Sequence, residues 1–206
     1  MKLLAIDSSI LSKASVSRKL TRSFVNQWQR VYPETEVIYR DLHAQPVNHL
    51  SQKILAAAQV APAQLSSEMR DELDLSSQLI AELFSADVLV IGAPMYNFSI
   101  PSQLKAWIDR VLVAGKTFKY LDGKVQGLVT GTRVYILSSR GGSYSEGPAV
   151  SLEHQESYLT SVLKFIGIDD ITFIRAEGVN MGEPTRKQAL YQAENSITQL
   201  LQLKVA

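Results

Sequence analysis

The sequence contains no cysteine among its 206 residues. Disulfide bonds, thiolate metal sites and a cysteine nucleophile are therefore excluded, and the composition suits a reducing compartment such as the cytoplasm. Net charge is almost absent as well, because 21 basic and 20 acidic residues leave only +1 at pH 7. This balance gives no electrostatic reason to expect nucleic acid as the main partner.

Long apolar runs are also missing. Asp7 interrupts the apolar start of the chain, too early for the hydrophobic region of a signal peptide. No stretch approaches the ~20 apolar residues of a membrane-spanning helix. We therefore expect a cytoplasmic protein without a membrane partner. Its length favours a single domain over residues 1–206, since one large domain commonly has this size.

Three familiar motifs are absent from the chain. There is no GxGxxG dinucleotide motif, no GxxxxGK[ST] phosphate loop and no GxSxG nucleophile elbow. The histidines His43, His49 and His154 are scattered, so we expect no metal site. Ser139 and His154 do not by themselves indicate a hydrolase, because no carboxylate partner is suggested by the spacing.

Strands and helices alternate along the chain. Apolar runs predict strands at residues 2–6, 35–39, 88–91, 133–137 and 171–174. Apolar residues at helical spacing predict helices at residues 20–31, 68–85, 102–113, 153–166 and 184–203. This alternation predicts an α/β fold with a doubly wound, five-stranded parallel sheet and helices on both faces.

Two segments depart from the alternation. Residues 117–130 contain Tyr120 and Gly123 and predict a hairpin. Residues 41–64 are harder to interpret, with a possible short helix at residues 54–58.

Loops that follow the first, third and fourth strands are expected to share one crevice. Ligand crevices of open α/β sheets lie beyond the carboxyl ends of parallel strands. The first loop contains Ser9, Ser15 and Ser17 and runs into a helix, whose free N–H groups attract phosphate. Arg18 could add charge. The alternative is that Ser15 or Ser17 only caps the helix.

The second loop carries Met95, Tyr96, Asn97 and Phe98. Two rings and an amide suit a flat heteroaromatic ligand that is bound by its ring and its polar edge. The alternative is a packed turn in which Met95 and Phe98 belong to the core.

The third loop runs from Ser139 through Arg140 to the pair Gly141 and Gly142. Paired glycines permit positive φ and a close approach of backbone to a ligand, although a simple tight turn has the same composition. The coincidence of three such loops at one edge favours a ligand crevice.

Taken together, these motifs resemble the FMN-dependent NAD(P)H azoreductase family. Its members are flavodoxin-like quinone and azo-dye reductases, formerly labelled acyl carrier protein phosphodiesterases. Glu177-Gly178, residues 117–120 and residues 127–131 carry the resemblance as well, and it spans the whole chain. It implies a flavodoxin-like fold, bound FMN, NADH or NADPH as electron donor, and a homodimer with FMN near the subunit interface. The implied activity is ping-pong reduction of quinones and reductive cleavage of aromatic azo compounds.

The resemblance also implies a set of contact residues. Phosphate contacts fall on Ser9, Ser15, Val16 and Ser17; ring and ribityl contacts fall on Met95, Tyr96, Asn97 and Phe98; contacts to the pyrimidine edge fall on Ser139, Arg140, Gly141 and Gly142. We expect Phe98 and Tyr120 to stack on a flat acceptor. No side chain is expected to be catalytic, because the flavin carries the chemistry.

Two other functions compete with this one. A flavodoxin-type electron carrier docks on protein partners through charge, and the near-neutral composition of this chain weakens that alternative. Phosphodiester hydrolysis requires a metal or nucleophile constellation that the sequence does not contain.

Overall fold

The computed structural model describes residues 1–57 and 59–202. The strands are β1 Lys2–Asp7, β2 Glu36–Asp41, β3 Val88–Pro94, β4 Phe118–Leu121, β5 Lys124–Gly127, β6 Arg133–Ser139 and β7 Ile171–Ala176. The α-helices are α1 Val16–Val31, α2 Gln52–Ala57, α3 Ser67–Ser85, α4 Ser102–Val111, α5 Glu156–Phe165 and α6 Glu183–Gln202.

Five strands form one parallel sheet in the order β2-β1-β3-β6-β7. The chain leaves β1 toward β2 on one side and returns to β3 on the other side. In such sheets the ligand crevice opens at the point where the strand order reverses. The predicted flavodoxin-like α/β fold is therefore confirmed.

The predicted hairpin is present as the antiparallel pair β4-β5. Asp122 and Gly123 connect the two strands and both have positive φ, 50° and 72°. A two-residue connection with positive φ at both positions matches the right-handed twist of paired strands.

Helices cover both faces of the sheet, as predicted. On one face α3, α4 and α5 bury Leu79, Trp107 and Leu159 against the strands. On the other face α1 and α6 bury Phe24 and Ile197. All seven residues of β3 are buried because this strand is the central one of the sheet and helices cover both of its faces.

All five strands of the sheet run further toward their carboxyl ends than the apolar pattern predicted, and three of these extensions reach the first, second and third predicted loops. β1 runs to Asp7, β3 to Pro94 and β6 to Ser139. The ladder continues into these residues, since Asp7 pairs with Gly92 and Pro94 pairs with Ser139. Residues of the crevice are thereby fixed directly by the sheet.

Two helices, α1 and α5, begin three or more residues away from the predicted position, and side-chain caps explain both. α1 begins at Val16 because the Ser15 side chain accepts a hydrogen bond from the Arg18 N–H. α5 begins at Glu156 instead of residue 153 because the carboxylate of Glu153 accepts from the Glu156 N–H at 2.8 Å.

Two predicted helices reach residues outside the described ranges, namely Ala58 and Leu203. Their described parts are helical, as α2 and α6. Within residues 1–57 and 59–202, no helix combines the length and apolarity that crossing a membrane requires.

Candidate functional site

The loops that follow β1, β3, β6 and β7 enclose a cavity of about 90 Å³ at the carboxyl edge of the sheet. We call it the crevice cavity. It is lined by Ser9, Leu11, Ala14, Ser15, Val16, Pro94, Met95, Tyr96, Ser139, Gly141, Val179, Asn180 and Arg186. Residues of all three predicted loops therefore meet at one place.

The start of α1 supplies free hydrogen-bond donors. Within the described chain, the N–H groups of Val16 and Ser17 have no acceptor. Ser15 caps the helix, and its Oγ lies 3.1 Å from Oγ of Ser17. Capping and anion binding are compatible here, because the cap leaves two N–H groups free at the positive end of the helix dipole.

Arg18 does not lie in the crevice cavity, so the expectation that it adds charge there is wrong. Its guanidinium contacts Asp7 at 3.2 Å and Asp41 at 2.5 Å. Burial raises the pKa of Asp7 to about 6 although Arg18 opposes this shift. The hydrogen bond from Arg18 lowers the pKa of Asp41 to about 2. Arg18 thus forms ion pairs with the last residues of β1 and β2.

The aromatic loop is a two-residue turn. Tyr96 and Ser99 exchange two backbone hydrogen bonds of 2.9 and 3.0 Å. Between them Asn97 and Phe98 have positive φ, 47° and 69°. Positive φ is rare for bulky residues, and such strain concentrates at functional sites.

Side chains of this loop point in different directions. The Tyr96 hydroxyl lies 3.1 Å from Oγ of Ser9 and joins two crevice loops. Phe98 is 42% exposed, so it does not belong to the core. Asn97 is exposed and lines a separate groove of about 500 Å³ beside the start of α4.

The glycine pair packs closely against neighbouring side chains of the same chain. Neither Gly141 nor Gly142 has the positive φ that paired glycines permit. A Cβ on Gly141 would lie 2.9 Å from Nδ2 of Asn180, and one on Gly142 would lie 3.3 Å from the ring of Tyr144. The absence of a side chain allows close packing within the protein.

The Arg140 guanidinium is buried beneath the glycine loop, where only 1% of the side chain is exposed. It does not line the crevice cavity. Its partners are the carboxylates of Glu153, Glu156 and Glu177 and the side chains of Ser138 and Gln155. The Arg140 N–H also donates to the Ala176 carbonyl at 2.9 Å. Arg140 therefore supports the loop from within the protein.

Sequence reasoning missed the loop after β7. The carboxylate of Glu177 accepts from the N–H groups of Tyr144 at 2.9 Å and Ser145 at 3.1 Å. Burial raises the pKa of Glu177, but hydrogen bonds from Ser145, Tyr144 and Arg140 together hold it below its usual range. The signal was available, because Glu177-Gly178 belongs to the motif and β7 lies beside β6.

Tyr120 lies away from the crevice of its own chain. Its ring packs against Phe118, whose ring lies 4.7 Å from that of Phe165 at the end of α5. A crossover helix runs antiparallel to its strands, so Phe165 lies at the amino edge of the sheet. The structure therefore does not bring Tyr120 and Phe98 together within one chain.

The three histidines are all exposed. His154 donates its N–H to the Phe98 carbonyl at 3.0 Å and so helps to hold the aromatic turn. Among the residues that the structure describes, no three His, Cys, Asp or Glu side chains are placed to hold a metal ion.

Comparison with known proteins identifies the family. Over all 206 residues the chain is 73% identical to an FMN-dependent NADH:quinone oxidoreductase of Legionella pneumophila, covering 100% of both proteins. A crystal structure of an azoreductase from Bacillus anthracis matches with a TM-score of 0.89 and 26% identity, covering 98% of each chain. The crystal structure of an FMN-dependent NADH-azoreductase from the same species, in complex with FMN, matches with a TM-score of 0.86 and 27% identity. The match covers 98% of this chain and 100% of that one. A model of the family described as having a flavodoxin-like fold matches residues 1–201. The predicted resemblance is confirmed, and the chain belongs to this flavodoxin-like family.

Proposed function

We propose that this protein is an FMN-dependent NADH:quinone oxidoreductase that also reduces aromatic azo compounds. The observation that carries the proposal is the crevice cavity, where two free helix N–H groups and serine hydroxyls meet an aromatic turn. The relative with 73% identity has this name, and structures named azoreductases share the fold at 26% and 27% identity.

The start of α1 holds the FMN phosphate in this proposal. The free N–H groups of Val16 and Ser17 and the hydroxyls of Ser9, Ser15 and Ser17 are all donors. The residues fit the cofactor because hydroxyls and backbone N–H groups are the usual partners of a phosphate at a helix start. Among the described residues that line the cavity, none carries a carboxylate that would repel the phosphate.

The other two loops hold the ring system. Met95, Tyr96, Asn97 and Phe98 provide its ring and ribityl contacts, and Ser139, Arg140, Gly141 and Gly142 contact its pyrimidine edge. Arg140 acts by holding that loop in place, because its guanidinium is occupied by glutamates. Bound FMN supplies the hydride and two-electron chemistry. The protein binds and orients, and no side chain is required as acid or base for the first half-reaction.

Donor and acceptor use the same crevice in turn, which requires ping-pong kinetics. The donor is NADH by the name of the relative, with NADPH as the second possibility that the resemblance implies. A flavodoxin-type electron carrier is disfavoured, because such a carrier docks on proteins through charge and this chain has a net charge of +1.

The visible spectrum of the purified protein tests the proposal directly. We expect a flavin spectrum that NADH bleaches without oxygen and that a quinone restores without added metal. Double-reciprocal plots at several fixed quinone concentrations should give parallel lines. Intersecting lines would mean that both substrates bind together, and the single-crevice mechanism would have to be abandoned.

A second copy of this chain completes the crevice in our proposal. Tyr120 is 67% exposed and lies at the edge opposite to the crevice of its own chain. Its ring can therefore reach a bound acceptor only from a partner subunit. An exposed aromatic ring on a projecting hairpin commonly anchors an interface.

Hybrid dimers test this arrangement. Tyr120→Ala should slow acceptor reduction about threefold to tenfold, since ring stacking contributes roughly 0.5–1.5 kcal/mol. Ser17→Glu should abolish FMN binding by placing negative charge beside a phosphate. A hybrid dimer contains one Tyr120→Ala chain and one Ser17→Glu chain. Only the Tyr120→Ala chain binds FMN, and its partner supplies an intact Tyr120 to that flavin. Full activity per flavin supports the proposal, and the slow rate of Tyr120→Ala would contradict it.

Domain organisation and location follow from the same proposal. We place one domain over residues 1–206 in the cytoplasm, without a membrane or nucleic-acid partner. The lack of cysteine and the net charge of +1 support this setting.

A further inference from the structure

Arg186 is the one cationic side chain that lines the crevice cavity in the described part of the chain. It lies in the first turn of α6, where its N–H donates to the Gly182 carbonyl at 3.0 Å. Its Nη1 donates to the Val179 carbonyl at 3.2 Å. No carboxylate within the described ranges forms an ion pair with it. Within residues 1–57 and 59–202, the other guanidinium donors of Arg186 therefore have no partner.

Other cations near the phosphate loop are placed elsewhere. Arg18 is neutralised by Asp7 and Asp41. Lys13, Lys19 and Arg22 line a neighbouring groove of about 460 Å³ and not the crevice cavity, and Ser15 lines both. Arg186 is thus the cation that the tertiary structure brings from the end of the chain to the phosphate loop.

A phosphate monoester carries a charge of about −1.5 to −2 at pH 7. Neutral hydroxyls and N–H groups compensate this charge only in part, and a partly enclosed site strengthens the need for a cation. A guanidinium is suited to this task because its planar donors match two phosphate oxygens at once.

We propose that Arg186 binds the phosphate group of FMN and supplies the charge that sequence reasoning had assigned to Arg18. This inference rests on the proposed function, which places the phosphate at the start of α1. Arg186 would then distinguish FMN from flavins without phosphate.

Flavin titrations of the full-length chain, stripped of flavin, test the proposal by fluorescence quenching. FMN and riboflavin are compared, because riboflavin lacks the phosphate. Arg186→Gln should weaken FMN binding roughly tenfold or more, as expected for loss of a charged hydrogen bond, and leave riboflavin binding unchanged. Arg186→Lys should recover part of the FMN affinity, since it keeps the charge and loses the planar donors.

Lys187→Gln is the matched control, with the same loss of charge one residue away on a side chain that is 76% exposed. Thermal unfolding checks that each variant is folded. An FMN-to-riboflavin affinity ratio in Arg186→Gln equal to that in Lys187→Gln would overturn the proposal. So would a lowered ratio in Lys13→Gln without one in Arg186→Gln. Wild-type protein that binds FMN no better than riboflavin would overturn the phosphate placement itself.

Discussion

Two loops of the crevice are each supported by an arginine side chain. The two arginines differ in how many of their guanidinium nitrogens have hydrogen-bond or ion-pair partners. Arg140, below the glycine loop, has partners for all three of its guanidinium nitrogens and is 1% exposed. Arg18, beside the serine loop, contacts two carboxylates and is 15% exposed. Its Nε and one oxygen of Asp7 lack partners within the described residues.

The carboxyl groups beside the two arginines also differ in their pKa values. Around Arg140 the pKa of Glu177 lies below its usual range, despite burial, because of its hydrogen bonds. Around Arg18 burial raises the pKa of Asp7 to about 6. Glu177 therefore remains ionised at neutral pH, whereas Asp7, whose burial is opposed only in part by Arg18, titrates close to neutrality.

The largest expected effect comes from breaking the complete network. Arg140→Met leaves three glutamates beneath the loop without their shared cation. Removing one partner of a buried ion pair costs about 3–5 kcal/mol, and we expect this loss in the free energy of unfolding from urea titrations.

Arg175→Met is the control for Arg140→Met. Arg175 also contacts Glu156, at 2.7 Å, but its side chain is 43% exposed. Exposed pairs contribute about 0–1 kcal/mol. Equal losses in the two variants would mean that burial of Arg140 has no energetic importance.

The next effect concerns Asp7 and pH. Its pKa rises from 3.8 to about 6 on folding, so the native state binds the proton more tightly and the charged form destabilises it. Stability from this group is present below pH 3.8 and is lost as pH rises through 6. Asp7→Asn removes the titration, so its stability relative to wild type should rise by about 2 kcal/mol from pH 4 to pH 7.

Asp41→Asn provides the opposite case on the same guanidinium. The pKa of Asp41 is lowered to about 2 by its hydrogen bond from Arg18, so its contribution is present above pH 3.8 and is lost as pH falls through 2. The stability difference between Asp41→Asn and wild type should therefore be constant from pH 4 to pH 7. A slope in this range equal to that of Asp7→Asn would contradict the assignment.

The smallest effect separates capping from ligand binding in the serine loop. Ser15→Ala and Ser66→Ala each remove a helix cap, of α1 and α3, and each should cost about 1 kcal/mol of stability. Only Ser15→Ala should also weaken FMN binding, since Ser66 lies at an exposed helix start. Equal FMN affinity in both variants would leave capping as the sole function of Ser15.

Local patterns predicted the fold well because sheet and helix periods are properties of short segments. The apolar core of each strand of the sheet was found, but β1, β3 and β6 continue into polar residues or proline that only their neighbours in the sheet hold in extended form. Gly141 and Gly142 would permit positive φ, yet among the crevice loops it occurs at Asn97 and Phe98. Composition alone does not reveal which loop is strained.

The sequence by itself determined the order of strands and helices, the edge of the sheet at which the three crevice loops meet, and the family. These depend on periodicity and on motifs within a few residues. Only the tertiary structure decided which polar side chains support loops and which line the crevice cavity. Arg18 is fixed by Asp41, 23 residues away, and Arg140 by Glu177, 37 residues away. Such pairings depend on how distant segments pack, because a buried charge takes the partner that folding places beside it.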